Sequence, residues 1–215
     1  QDDFDTAFRL DQISRTEDLH FGTRLALELG WAADAFGADR DAALVRAEAS
    51  RGFRIGPRSL LFTSARMGGR VESGGARDVL LSAALRFYHP TGDRSTFFAS
   101  LWGDAGHELD DDHLLPLGGD EGLRGYPIRY QTGDSRALLT IEQRFYTPWS
   151  LWRIADIGAA VFFDAGQSWG ESLITEPGAR RGLLTDAGFG LRLSNRRSAH
   201  GYVTHLDIAF PLNGD

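Results

Sequence analysis

The chain has 215 residues, no cysteine and a formal net charge of -7. This balance excludes a nucleic-acid surface, which needs clustered lysine and arginine that acids do not offset. The absence of thiols excludes disulfides, thiolate metal sites and a cysteine nucleophile. With 42% hydrophobic and 25% charged residues the composition is that of one ordered domain. No apolar run approaches the ~18 residues of a membrane helix, a criterion that does not detect β-barrels.

Along the chain the dominant signal is period two. It predicts strands near 4–13, 19–31, 42–53, 59–70, 78–88, 95–106, 135–147, 153–166, 183–195 and 200–212. In the second of these, Phe21, Thr23, Leu25, Leu27 and Leu29 alternate with Gly22, Arg24, Ala26, Glu28 and Gly30. Near 135–147, Ala137, Leu139, Ile141 and Phe145 oppose Leu138, Thr140, Glu142 and Arg144. Near 153–166, Ile157, Val161 and Phe163 oppose Gly158, Ala160, Phe162, Asp164 and Gly166. Near 183–195, Phe189, Leu191 and Leu193 oppose Asp186, Gly188, Gly190 and Arg192. The last strand sets Leu206, Ile208 and Phe210 against His205 and Asp207.

Alternation alone fits either a soluble β-sandwich or a membrane barrel. The composition of the polar face favours the barrel, because glycines stand there beside opposite charges (Arg24 with Glu28, Glu142 with Arg144, Asp186 with Arg192), as in a crowded, charge-paired interior. Strand length and connections point the same way. The strands run to about 10 to 14 residues against the usual 5 or 6. Short links (14–18, 54–58, 89–94, 147–152, 195–199) alternate with longer ones (32–41, 68–77, 107–134, 166–182). Trp31, Tyr146, Trp149, Trp152, Trp169 and Tyr202 sit near strand ends, where an interfacial girdle requires aromatics. Asn213-Gly214 is a hairpin-turn signal with no strand after it, so the sequence is expected to be a piece of a barrel that lacks its last strand.

The segment 107–134 is too long and too irregular for a passive connection. It contains "LPLGGDEG" followed by "LRGY", that is Leu123, Arg124, Gly125 and Tyr126. Further on come "TIEQRFYTP", "FFDAGQSW", "GFGLRLS" and "HLDIAFPL". In order and spacing, residues 95–215 resemble the C-terminal barrel of the bacterial surface antigen superfamily (outer-membrane protein 85 type). Its members include barrel assembly proteins and the translocators of two-partner secretion.

The resemblance implies an all-β fold, an antiparallel meander forming the C-terminal part of a transmembrane β-barrel, with 107–134 folded into the lumen. It implies that Arg124 pairs with Asp164 of the Phe162-x-Asp164-x-Gly166 motif on the inner wall. From the polar face of the strands, Glu142, Arg144, Asp186 and Arg192 are expected as further lumen charges. The expected location is the outer membrane of a Gram-negative bacterium. The expected partners are outer-membrane lipid, a polypeptide substrate in transit and periplasmic or accessory domains upstream in a longer chain. No cofactor and no enzymatic activity are expected. Two alternatives remain: a barrel that anchors an upstream patatin-like lipase, and a soluble β-barrel binding protein.

Other features carry less. "HELDDDH" (His107 to His113) holds two histidines among carboxylates but lacks open-site spacing, so no metal site is expected. His205 is expected on the inner wall as a hydrogen-bonded residue. "GGDEGLRG" lacks the lysine and helix of a phosphate cradle, and no Gly-x-Ser-x-Gly motif is present.

Overall fold

The computed structural model describes residues 3–110, 113–152, 154–170, 174–175, 181–195 and 202–213. Its first departure from simple alternation comes at the start of the chain. The expected strand 4–13 ends early: β1 (Phe4–Phe8) stops where Arg9, at φ 65, turns the backbone out of extended geometry. β1 then pairs antiparallel with β2 (Thr16–His20), and the two form a separate two-stranded sheet. The expected strand 19–31 is thereby split. Phe21 does not share the face of Leu25, Leu27 and Leu29; it is buried and stacks near Phe62. Gly52 makes that approach feasible, since a Cβ there would lie 2.9 Å from the Phe21 ring.

The remaining strands build one antiparallel meander. In chain order, the first five are β3 (Arg24–Ala32), β4 (Ala42–Ile55), β5 (Ser59–Glu72), β6 (Gly75–Gly92) and β7 (Ser95–His107). Two short strands follow, β8 (Leu115–Leu117) and β9 (Gln131–Gly133), then β10 (Ser135–Leu151) and β11 (Ala155–Trp169). After the two-residue β12 (Ile174–Thr175) come β13 (Leu184–Asn195) and β14 (Val203–Pro211). The nine-stranded sheet runs β14-β13-β11-β10-β7-β6-β5-β4-β3. β3 and β14 each have one hydrogen-bonded neighbour, so the sheet is open among the described residues. The link expected to be long at 68–77 is in fact tight, because β5 and β6 continue to Glu72 and Gly75. Pro90 and Pro148 are accommodated where the register shifts, between Pro90 and Gly92 and between Tyr146 and Ser150.

The two faces of this sheet are inverted relative to a soluble sandwich. Large apolar side chains are uncovered: Leu27 is 66% exposed, Val161 51%, Phe189 53% and Ile208 55%. Along β11 and β13 the opposite parity is covered, with Asp164 and Asp186 at 0%, whereas along β3 both faces are exposed. The covering material comes from two inserted segments. The β1–β2 hairpin bonds to side chains from β4 through β11, which requires the sheet to curl around it. Leu10 of its turn forms a buried cluster with Tyr88 and Phe98. The 107–134 segment supplies Leu117, Leu123 and Tyr126 to a second cluster with Leu138 and Leu184. Of the expected girdle, Trp149, Trp152 and Tyr202 are well exposed, whereas Tyr146 is 6% exposed and points to the covered face.

Strands bonded on both sides open less readily than edges. Amide hydrogen exchange should therefore be slowest in β10 and β11 and fastest along β3 and β14. Uniform protection across the nine strands would show that the edges are paired in solution.

Candidate functional site

The segment after β7 is more ordered than its composition suggests. β8 and β9 pair antiparallel, and β12 adds to β9, giving a small three-stranded sheet. A 3-10 turn, Gly119–Glu121, and the left-handed Gly122 (φ 103) reverse the chain between β8 and β9. Leu117 and Leu123 are fully buried and seat this structure on the covered face of the large sheet. Gly166 leaves room for it: a Cβ there would lie 3.2 Å from Leu117 Cδ2.

Arg124 is thus carried to the wall with its side chain fixed. Its Nε and Nη2 donate to the two oxygens of Asp164 at 2.8 and 3.0 Å, a bidentate pair. Nη1 donates to Glu142 Oε1 at 2.8 Å and to Asp207 Oδ2 at 3.0 Å. The guanidinium carbon lies 3.4 Å from the centroid of the Phe162 ring, so the cation is stacked on its aromatic partner. Burial opposes the charge on Arg124, but the bonds from Asp164 and then Glu142 outweigh it and hold the guanidinium protonated more firmly than a free arginine.

The next two residues complete the attachment. Gly125 N–H donates to Asp186 Oδ2 at 3.0 Å, and a Cβ at Gly125 would lie 2.7 Å from Asp186 Cβ. Only glycine permits that approach. The Tyr126 hydroxyl lies 3.0 Å from the Thr185 carbonyl and 2.7 Å from Asn213 Oδ1. Burial pushes its phenol pKa up. Asn213, marked by sequence as a turn residue, also accepts from Thr185 N–H and donates to the Leu183 carbonyl. Gly214 lies outside the described residues.

Around this tip the charges interlock. Glu142 Oε2 accepts from Arg144 Nε at 2.8 Å, and Oε1 is approached by Arg192 Nη2 at 3.4 Å. Asp207 is shared by Arg124 and Arg192. Three guanidinia (Arg124, Arg144, Arg192) meet four carboxylates (Glu142, Asp164, Asp186, Asp207), and Asp186 is the one that bonds to a backbone N–H instead of an arginine. Of the site residues expected from sequence, Arg124, Gly125, Glu142, Arg144, Phe162, Asp164, Asp186 and Arg192 lie in or against the charge cluster, Leu123 and Tyr126 lie in the adjoining apolar cluster, and Gly166 lies beneath the inserted segment.

Sequence reasoning overlooked three contributors. Asp207 had the right parity on the last strand but was not singled out. Arg136, immediately after the segment, donates to Asp104 Oδ2 at 2.7 Å and bonds the Pro116 carbonyl, fastening β8 to the wall. Its even number places it on the same face as Glu142, which was a usable signal. Gln131, fully buried, donates to the Gly182 carbonyl and accepts from Ser168 N–H, and no local pattern marks it. His205 lies opposite Arg192 in the β13–β14 register. In "HELDDDH", Asp110 pairs with Arg70 at 2.7 Å and His113 Nδ1 lies 2.7 Å from Asp78 Oδ1, so these side chains serve as surface ties; Asp111 and Asp112 lie outside the described residues.

Comparison with protein-family models returns no match, and neither does comparison with curated proteins or with solved structures.

Removing one partner of a buried pair strands the other charge at about 3 to 5 kcal/mol. Arg124→Ala and Asp164→Ala should each destabilise the docked segment by that order, with the double variant no worse than the worse single. Gly125→Ala should act in the same direction by steric exclusion. Denaturant unfolding, with limited proteolysis of 115–133 as the local probe, measures this. Strictly additive losses from Arg124 and Asp164 would show that they act apart.

Proposed function

We propose that the chain forms the wall of an outer-membrane β-barrel that inserts or translocates polypeptides, with the Arg124 segment latched to the inner wall of the pore. The observation that carries this reading is the inversion of the sheet. Its uncovered face is apolar over long strands, and its covered face holds a paired charge cluster. A soluble sheet would bury the first and wet the second, whereas a barrel in lipid needs the arrangement seen. On this reading the partners are outer-membrane lipid and a polypeptide in transit, and the location is the Gram-negative outer membrane. The site holds and positions charge and performs no bond-making chemistry.

The loop latch also suits transport. On this reading the segment, held by side chains, would lie in the path of a polypeptide and would have to be released for it to pass. The resemblance to bacterial surface antigen barrels supports the same assignment through Leu123 to Tyr126 and Phe162 to Gly166.

The expected signature in lipid is a difference between faces. Val161→Arg should cost about 2 to 4 kcal/mol near the bilayer midplane. Ser64→Arg, at an exposed position of the opposite parity that lines an open cavity of about 330 Å³, should cost much less. Folding yield into vesicles, read by heat-modifiable mobility, measures both, and equal penalties would refute membrane insertion. In cells, Arg124→Ala should impair polypeptide assembly or secretion while the protein still inserts. Unchanged export with a released loop would remove the latch from the function.

A further inference from the structure

The β1–β2 hairpin shares no ladder hydrogen bond with the nine-stranded sheet; it is a sheet of its own. An isolated two-stranded hairpin is marginally stable, so its position depends on side-chain contacts: Arg54 holds Asp3 and Asp5 at its base, and the wall holds its head. That head, residues 9–15, is braced by its own hairpin. Glu17 Oε1 accepts the backbone N–H groups of Leu10, Asp11 and Gln12 at 2.8, 3.1 and 3.1 Å.

The wall receives this head in the way a binding cleft receives a peptide. Main-chain carbonyls are recognised first. Thr96 Oγ1 donates to the Arg9 carbonyl at 3.0 Å, and the Leu10 carbonyl takes Arg144 Nη1 at 2.7 Å and the Tyr146 hydroxyl at 3.1 Å. One apolar side chain is then pocketed: Leu10, 3% exposed, against Tyr88 and Phe98. One acid is recognised, because Asp11 accepts from the Tyr88 hydroxyl at 2.8 Å and from Arg144 Nη1 at 2.9 Å. Ser14 closes the far side by bonding Asp156. Two open cavities of about 330 and 500 Å³ flank the head, both lined in part by Asp11 and Arg86, so the cleft can be reached from beside the head.

We propose that the cleft walled by Tyr88, Thr96, Phe98, Arg144, Tyr146 and Asp156 is a docking site for the head of a β-hairpin that presents a leucine followed by an aspartate, and that the chain's own residues 3–20 occupy it as an internal ligand. Main-chain recognition with one apolar and one acidic anchor accepts many sequences but demands this geometry. The three residues that join β2 to β3 keep the internal ligand at high effective concentration, so an external hairpin binds well only once the internal one has left. The identity of the natural ligand, a polypeptide in transit, rests on the function proposed above; the cleft does not. Glu142 links the site to the latch, since its two oxygens take Arg124 and Arg144 separately.

The test uses the full chain in detergent and a fluorescein-labelled synthetic peptide of residues 3–20, with anisotropy as the readout. Leu10→Ala with Asp11→Ala in the chain weakens the internal ligand, and the wild-type peptide should then bind at least tenfold tighter than it does to the wild-type chain. A peptide carrying the same two substitutions should lose at least tenfold on that opened chain. Should the substituted chain fail to fold, a protease site inserted between Gly22 and Thr23 replaces it: the chain is folded first and cut afterwards, and cutting should allow peptide uptake. Equal peptide affinity before and after opening, or equal affinity for both peptides, overturns the proposal. Peptide docking in a chain that does not support polypeptide assembly would leave the site standing and remove only the proposed function.

Discussion

A buried guanidinium must place five N–H donors in one plane, and at Arg124 three strands and a ring are arranged to receive it. β11 supplies the bidentate carboxylate, β10 and β14 supply the two acceptors for Nη1, and Phe162 covers the flat face. Each of those carboxylates is itself removed from water, so the dependence runs both ways. Without the arginine, the wall holds uncompensated acids; without the wall, the arginine has no reason to be inside.

The backbone around the cluster is shaped by that requirement. Gly125 has to pass within van der Waals contact of Asp186, and Gly166 must leave space for Leu117. Small residues at these points are what allow a folded segment, with its own three-stranded sheet, to lie against a strand wall without prising it apart. Arg136 and Gln131 then hold the two ends of the segment, so the tip is aimed by its base as well as gripped at its end.

Two segments enter the curled sheet from opposite ends. The segment carrying Arg124 arrives from the end bearing the β7–β10 connection, and the N-terminal hairpin head lies near the tight turns between β6 and β7 and between β10 and β11. They meet through a run of alternating charges, Arg124, Glu142, Arg144 and Asp11. In such a run each charge is stabilised by its neighbours on both sides, so loss of one contact is felt along the line. The covered face therefore behaves as one network, although its parts come from residues 11 and 207 and much between.

By itself the sequence determined what is local to a strand. Parity placed Glu142, Asp164, Asp186 and Arg192 on the covered face and Val161 and Phe189 on the other, and β10 and β13 begin within a residue of expectation, because side-chain direction follows from backbone pleat alone. Parity even marked Tyr146 correctly, beside Arg144; its position near a strand end suggested a girdle instead. Tertiary structure decided what depends on register and curvature. Arg144 reaches the Leu10 carbonyl across 134 residues, and Asp207 reaches Arg124 across 83. The first strand became a folded-in hairpin because Arg9 turns the chain and Leu10 finds an apolar pocket on distant strands. Pleat is fixed by each residue's own backbone, whereas which inward side chains meet is fixed only when the whole sheet has paired and curled.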